Sequence, residues 1–179
     1  SIQKLYAEDT NLIIFQEDKV SRALIDKDAI YSAEGNGTVT SSNLVIGQIV
    51  AYAGEYGIAT DPFSFAVYGY RKYFTDRKRG CVLRLTTQGD IVEISGFGMH
   101  DFFRDELTGI NNQTGNAEPV QKIVGGWDNH TKNYVLSIQK VNGQYSTLSF
   151  DEGVQGWTSF FDFKPSFMFS LTSTFFSTN

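Results

Sequence analysis

The sequence predicts a mainly β fold of repeated antiparallel hairpins or meanders, similar to propeller blades, with one short helix near residues 98–107. Val, Ile and Thr number 40 against 21 for Ala, Leu and Met, and the chain also carries 15 Phe and nine Tyr. β-Branched and aromatic residues favour strands, whereas Ala, Leu and Met favour helices. Short apolar runs are separated by turn residues, a pattern that indicates hairpins.

Three pairs of β-rich runs are predicted to form these hairpins. In each pair a short polar turn joins the two runs, and two of the turns contain glycine, at Gly89 and Gly143. The paired runs are Asn11–Phe15 with Val20–Ile25, Cys81–Leu85 with Ile91–Ile94, and Tyr134–Ile138 with Tyr145–Phe150.

A repeat links the second and third hairpins. Each is preceded by a strand-like run that ends in an aspartate and a polar turn, at Asp76 and at Asp128. Leu85 and Ile138 then occupy equivalent positions 53 residues apart, and a period near 50 residues is in the range of propeller blades. An aspartate before a tight turn can accept backbone N–H groups, so both aspartates are predicted to stabilise their turns. A weaker copy precedes the first hairpin, at Asp9.

The connections between the hairpins contain further predicted elements. Short alternating segments occur within residues 29–72, at Thr38–Thr40, Leu44–Tyr52 and Phe63–Tyr70. In the predicted helix, Gly98–Leu107, one face carries Met99, Phe102, Phe103 and Leu107, and the charged residues lie opposite. The final segment, Trp157–Ser177, holds seven of the 15 Phe residues and predicts one or two more strands.

We expect residues 1–179 to form one β-rich module, with possible repeat units at about 1–70, 71–123 and 124–179. The sequence begins with Ser1 rather than Met and stops directly after a strand-like run. For that reason we expect the module to be a fragment of a longer protein.

Composition and charge exclude several classes of protein. With 41% hydrophobic and 20% charged residues, the chain is typical of a folded domain. Its net charge of −5 gives no general attraction to nucleic acid or to anionic membranes, and no apolar run approaches the roughly 18 residues of a membrane span. The lone cysteine, Cys81, excludes an internal disulfide and a multi-cysteine metal site. No cofactor is expected.

Catalytic patterns are sparse. The only histidines, His100 and His130, lie at a helix start and in a turn, and no Gly-x-Ser-x-Gly or phosphate-loop motif occurs. Asp76 and Asp128 could supply the carboxylate pair of a glycosidase. Because the two aspartates occupy repeated positions, whereas a catalytic residue should be unique to one copy, we favour a structural role for both.

Positive charge is concentrated between Tyr70 and Arg79, where aromatic residues are interleaved with it. Arg77, Lys78 and Arg79 are predicted to form the tip of a turn. Grooves that bind single-stranded nucleic acid combine these residue types. In an acidic protein, however, a solvated turn or an ion-paired subunit contact is the favoured interpretation.

Several segments of the chain resemble large virion proteins of tailed bacteriophages. These segments are Asn11–Arg22, Tyr56–Ile58 with Asp61–Pro62, Tyr68–Arg77 and Phe102–Asp105. The most specific stretch, Leu148–Glu152 followed by Gly156–Phe160, is similar to the tail and muzzle structural proteins of crAss-like and related phages. The resemblance implies a structural role without catalysis, and β-rich modules followed by further blades of the same kind.

We therefore expect a non-enzymatic component of the phage tail, in the muzzle, nozzle or baseplate region of the virion, that mediates subunit assembly. Its partners would be other copies of itself and other tail proteins. It would contact nucleic acid only when the genome passes through the tail. Aromatic and arginine residues are enriched at interfaces. The expected contact residues are Arg77, Lys78, Arg79, Trp127, Trp157, Phe160 and Phe161.

Three alternatives stay open. Trp127 and Trp157 could belong to the core rather than to a contact surface. The chain could be a propeller module that binds a glycan or receptor on the host surface. It could also be a glycosidase-like propeller that uses Asp76 or Asp128.

Overall fold

The computed structural model describes residues 1–25 and 46–179. Within these residues the chain forms fourteen strands, arranged in three four-stranded sheets and a two-stranded hairpin, all antiparallel. One α-helix and one 3₁₀ turn complete the elements of the described ranges. The predicted mainly β class with a single short helix is therefore confirmed.

The first sheet contains four strands in chain order, and each is paired with the next. They are β1 (Ile2–Glu8), β2 (Asn11–Gln16), β3 (Val20–Ile25) and β4 (Ile46–Ala51). The first predicted hairpin corresponds to β2 and β3, and β4 lies within the predicted segment Leu44–Tyr52. The segment Thr38–Thr40 lies outside the described residues.

The second sheet repeats this plan after a 3₁₀ turn at Pro62–Ser64. Its strands are β5 (Ala66–Tyr68), β6 (Arg71–Asp76), β7 (Cys81–Leu85) and β8 (Ile91–Glu93). The turn from β6 to β7 ends at Gly80, whose φ is +65° and whose added Cβ would lie 2.9 Å from the backbone of Arg104. Glycine is needed there both for the left-handed conformation and for the close approach of the helix.

The helix α1 spans His100–Thr108, two residues later than the predicted start. Gly98 adopts a φ of +83°, which a helix interior does not allow, so the helix cannot include it. The helix ends at Gly109, where a φ of +70° forms a left-handed cap. The predicted apolar face is confirmed, because Phe103 and Leu107 are buried in the core.

The third sheet and a terminal hairpin complete the chain. The third sheet consists of β9 (Val120–Asp128), β10 (Asn133–Lys140), β11 (Tyr145–Asp151) and β12 (Gly156–Phe161). The terminal hairpin consists of β13 (Phe167–Leu171) and β14 (Thr174–Thr178). The second and third predicted hairpins are thereby confirmed, as β7–β8 and β10–β11.

Three hydrophobic clusters join the sheets in chain order. The first lies between the first and second sheets and includes Phe15 and Phe74. The second joins the second sheet and α1 to the third sheet, and the third joins the third sheet to the terminal hairpin through Met168. Both the second and the third sheets are thus covered on two faces. No shared cluster joins the terminal hairpin to the first sheet in the described part of the chain.

Candidate functional site

The basic turn between β6 and β7 is bound to acidic residues of the same chain. The Arg77 guanidinium donates two hydrogen bonds to the buried carboxylate of Asp61 and a third to the carbonyl of Val120, at 2.9 Å. Burial raises the pKa of Asp61, and Arg77 offsets part of that effect. Arg77 therefore fixes the 3₁₀ turn before β5 to the start of β9.

Lys78 and Arg79 are exposed and bind acids on the first two sheets. Lys78 Nζ donates to Asp18 at 2.9 Å and to Glu17 at 3.3 Å, both in the β2–β3 turn. Arg79 pairs with Asp76 at 2.9 Å. The interface role of the three basic residues stays a prediction. Within the chain, Lys78 joins the second sheet to the β2–β3 turn of the first.

Asp76 and Asp128 occupy equivalent turns but different environments. Asp76 is fully buried, and it accepts the N–H of Arg79 at 3.2 Å and that of Gly57 at 3.0 Å. Asp128 is half-buried and accepts two N–H groups of its own turn, from His130 at 2.8 Å and Thr131 at 3.3 Å. Both carboxylates thus bond to their turns, and Asp76 also holds the segment that follows β4.

The two tryptophans pack against aromatic residues within the fold. Trp127 is 8% exposed, and its ring stacks on Tyr68 and on Tyr73, with centroids 4.6 and 5.4 Å apart. Trp157 is partly buried against Phe103, and its indole N–H donates to the Ile94 carbonyl at 3.1 Å. These contacts favour the core interpretation of both residues over an intersubunit role.

Phe160 and Phe161 are the exposed aromatic residues among the predicted contact residues. Phe160 is 64% exposed and touches Phe102 of α1 edge-on, with ring centroids 5.8 Å apart. Phe161 is 37% exposed and lies against Phe163. Both are on β12, which forms one edge of the third sheet.

A groove runs along the first strands of all four sheets. Lys4 of β1, Tyr68 of β5, Trp127 of β9 and Met168 of β13 line it, and its volume is about 740 Å³. In every sheet the first strand is an edge strand, so residues of four edge strands contribute to this groove. Phe63, which is 65% exposed, lies at the same groove.

The polar groups that line the groove bond mainly to one another. Ser170 Oγ donates to the Trp127 carbonyl at 2.6 Å and accepts the Asn129 N–H at 3.0 Å, and the Asn129 side chain donates to the Thr172 carbonyl. The buried indole N–H of Trp127 has no hydrogen-bond partner among the described residues. Ser170 and the Asn129 side chain are therefore engaged by hydrogen bonds within the groove.

Sequence reasoning missed three buried charged clusters. Glu152, in the turn after β11, accepts the Tyr73 hydroxyl at 2.6 Å and also pairs with Arg84. Burial, and then Glu152, raises the pKa of the Tyr73 phenol. The other two clusters are Lys72 with Glu8, and Lys140 with Glu106 and Glu118.

The central groups of these clusters are buried. Tyr73 and Lys72 are 0% and 2% exposed, and Lys140 is 4% exposed. The two histidines, His100 and His130, are exposed instead. Among the described residues, no group of three His, Cys, Asp or Glu side chains is arranged to hold a metal ion, and no helix is long and apolar enough to cross a membrane.

Apolar residues are exposed on the outer faces at both ends of the sheet series. On the first sheet Leu5, Ile14, Ala23 and Ile49 share the face opposite the core. Leu5 and Ile49 are 54% and 58% exposed, whereas Ile14 and Ala23 are buried. We call this the aliphatic face. On the terminal hairpin the outer positions are Phe167, Phe169, Leu171, Thr174, Phe176 and Thr178. We call this the aromatic face.

Neither face carries a charged residue at any of its paired positions. Such contiguous apolar surface is typical of a surface that another protein covers. Hairpin prediction alone did not identify these faces. Which residues of β1, β3 and β4 point away from the core depends on how these strands pair. A single sequence does not specify that pairing.

Comparison with known proteins finds no matching family model and no matching curated protein.

Proposed function

We propose that this chain is a non-enzymatic structural module of a bacteriophage virion, located in the tail, where it mediates subunit assembly. The observation that carries the assembly role is the pair of uncharged apolar faces at the two ends of the sheet series. Sheets bury such faces against other layers, yet Leu5 and Ile49 on one face and Phe167 and Leu171 on the other are exposed.

The arrangement of the acidic residues supports a role without catalysis. A glycosidase needs two carboxylates that can reach the substrate. Both oxygens of the fully buried Asp76 bond to backbone or to Arg79, and Asp128 is bonded to its own turn. Neither of them has the free, accessible carboxylate that the glycosidase-like alternative requires.

The virion and tail parts of the proposal are supported by the resemblance of the sequence segments described above. Mass spectrometry of purified particles of the encoding phage tests them. We expect peptides of this chain in intact particles, and in tails separated from heads, at a fixed ratio to the major tail protein. Detection in infected-cell extract but not in purified particles would contradict a virion role.

The groove along the first strands favours a second candidate, a module that binds a host-surface glycan. Aromatic rings are common in sugar-binding grooves because they are large, rigid and amphipathic, and Phe63 and Tyr68 are both exposed there. A glycan array probed with the full chain and with a Phe63→Ser variant tests this candidate. Binding that the substitution abolishes would support it, and absence of binding by the unmodified chain would oppose it.

A further inference from the structure

The groove along the first strands carries positive charge, and none of its lining residues is acidic. Lys4 Nζ, on β1, lies 4.8 Å from the ring centroid of Phe65, and Lys132 Nζ, in the β9–β10 turn, lies 5.1 Å from that of Tyr68. Both rings belong to the lining of the groove. Each ammonium group is therefore held over an aromatic face, where the electron-rich ring attracts a cation.

Neither lysine is neutralised within the part of the chain that the structure describes. There the lysines that pair with a carboxylate do not include Lys4 or Lys132, and Lys132 donates to the neutral side-chain oxygen of Asn129. Two acids adjoin lining residues in sequence, but Asp61 is held in an ion pair and Asp128 is bonded to its own turn. In a chain of net charge −5 the groove is thus a local region of positive charge.

We propose that this groove binds an anionic saccharide, one that carries carboxylate or sulfate groups. The inference rests on the glycan-binding candidate described above and names its class of ligand. The two ammonium groups would donate charge-assisted hydrogen bonds to the acidic groups. The ring of Phe63, which is 65% exposed at the same groove, would pack on the apolar face of a sugar ring.

The size of the groove fits an oligosaccharide segment. Its volume of about 740 Å³ lies within the range of about 300–1,000 Å³ that is typical of small-molecule sites. Aromatic walls with a few placed polar groups are also typical of such sites. Here Lys4, Lys132 and the hydroxyl-bearing residues Tyr68 and Thr172 are the polar groups at the groove.

The arrangement of the rings favours a saccharide over a single-stranded nucleic acid. Single strands bind through successive bases that stack on aromatic rings, in a groove whose positive charges follow the phosphates. Tyr68 already stacks on Trp127, with ring centroids 4.6 Å apart, and Lys132 lies over its ring. A saccharide needs neither continuous stacking nor a cation for every unit, so two lysines and one open ring suffice for it.

A glycan array of acidic and neutral glycans, probed with the full chain, tests the class of ligand. We expect the bound glycans to carry carboxylate or sulfate groups. The strongest of them is then compared, by titration calorimetry, with its neutral counterpart, in which the acidic groups are reduced or removed. The neutral form should bind about tenfold more weakly, and the difference should shrink at high salt because the lysines are screened.

Substitution of the two lysines tests the site. Lys4→Gln and Lys132→Gln should each weaken binding of the anionic glycan by up to about fivefold and leave binding of its neutral counterpart unchanged. Lys19→Gln is the matched control, because Lys19 is exposed, does not line the groove and carries the same charge. Circular dichroism confirms that each variant is folded.

The outcomes separate this inference from the candidate on which it rests. Equal affinity for the anionic glycan and its neutral counterpart would overturn the inference, as would lysine variants that bind like the unmodified chain, and glycan binding itself would stand. Absence of all glycan binding would overturn both. Tighter binding of a poly-dT oligonucleotide than of any glycan, lost in the same lysine variants, would assign the groove to nucleic acid instead.

Discussion

Replacing Asp76 by alanine should destabilise the protein far more than the same change at Asp128. Asp76 is fully buried, and its carboxylate accepts the N–H of Gly57, which is itself buried. Alanine leaves that N–H without a partner, at about 1–3 kcal/mol. It also removes two bonds to Arg79, but Arg79 is exposed and water can replace them.

Taken together, these losses should lower the free energy of unfolding of Asp76→Ala by about 3 kcal/mol. Asp128→Ala removes bonds confined to its own exposed turn, and comparable capping bonds contribute about 1 kcal/mol. The two positions are equivalent in the repeat, so each variant is the control for the other. Asp76→Asn, which keeps one acceptor oxygen, should lie between them.

Urea denaturation followed by tryptophan fluorescence measures the difference. With a slope of about 2 kcal/mol per M, Asp76→Ala should lower the midpoint by about 1.5 M and Asp128→Ala by about 0.5 M. Equal losses for the two variants would refute the reasoning. A gain in stability for Asp76→Ala would instead identify a carboxylate that is retained for function at a cost to folding.

Three further predictions concern buried groups. Lys140→Met leaves Glu106 and Glu118 close together without their cation. The free energy of unfolding should therefore fall by about 2 kcal/mol at pH 7. This loss should become smaller below about pH 4, because the two carboxyl groups are then protonated. In the unmodified protein burial opposes the charge of Lys140, but the hydrogen bonds of the two glutamates outweigh burial and raise its pKa. The contribution of charged Lys140 to the stability of the folded protein should therefore persist up to pH 10.5 and be lost as the pH rises further. Cys81 is buried, and burial raises the pKa of its thiol, so a thiol reagent should modify it only after unfolding. Gly126→Ala should lower the unfolding free energy by about 2 kcal/mol in urea denaturation, because the new Cβ would lie 2.7 Å from a side-chain carbon of the terminal hairpin.

Each of these three has an outcome that contradicts it. A Lys140→Met deficit that is the same at pH 3 and pH 7 would mean that the glutamates do not repel each other. Rapid labelling of Cys81 in native buffer would mean that the second sheet opens readily. A Gly126→Ala variant of unchanged stability would mean that the terminal hairpin is not packed on the third sheet.

The strands and turns were predictable because their signals are local. Apolar alternation and a turn glycine such as Gly143 specify a hairpin within about fifteen residues, and all three predicted hairpins are present. The helix start was two residues early, since the sequence pattern does not reveal that Gly98 adopts a left-handed conformation. Local signals of this kind are independent of the rest of the fold.

The buried ion pairs and the apolar outer faces could not be predicted in this way. Tyr73 and Glu152 are 79 residues apart in sequence, and Lys72 and Glu8 are 64 apart. Which charged side chain points inward depends on which sheets pack together. β6 also departs from alternation, because it is covered on both faces and five of its six residues are buried.

The chain-order packing of the sheets has a consequence for how the molecule opens. A structure in which each layer holds only its neighbours loses structure from its ends inward, as a linear array does. The terminal hairpin has two strands and one covered face, so its amides should exchange with solvent first in native-state hydrogen exchange. The amides of β6 and β7, enclosed between two layers, should exchange last and report the global unfolding free energy.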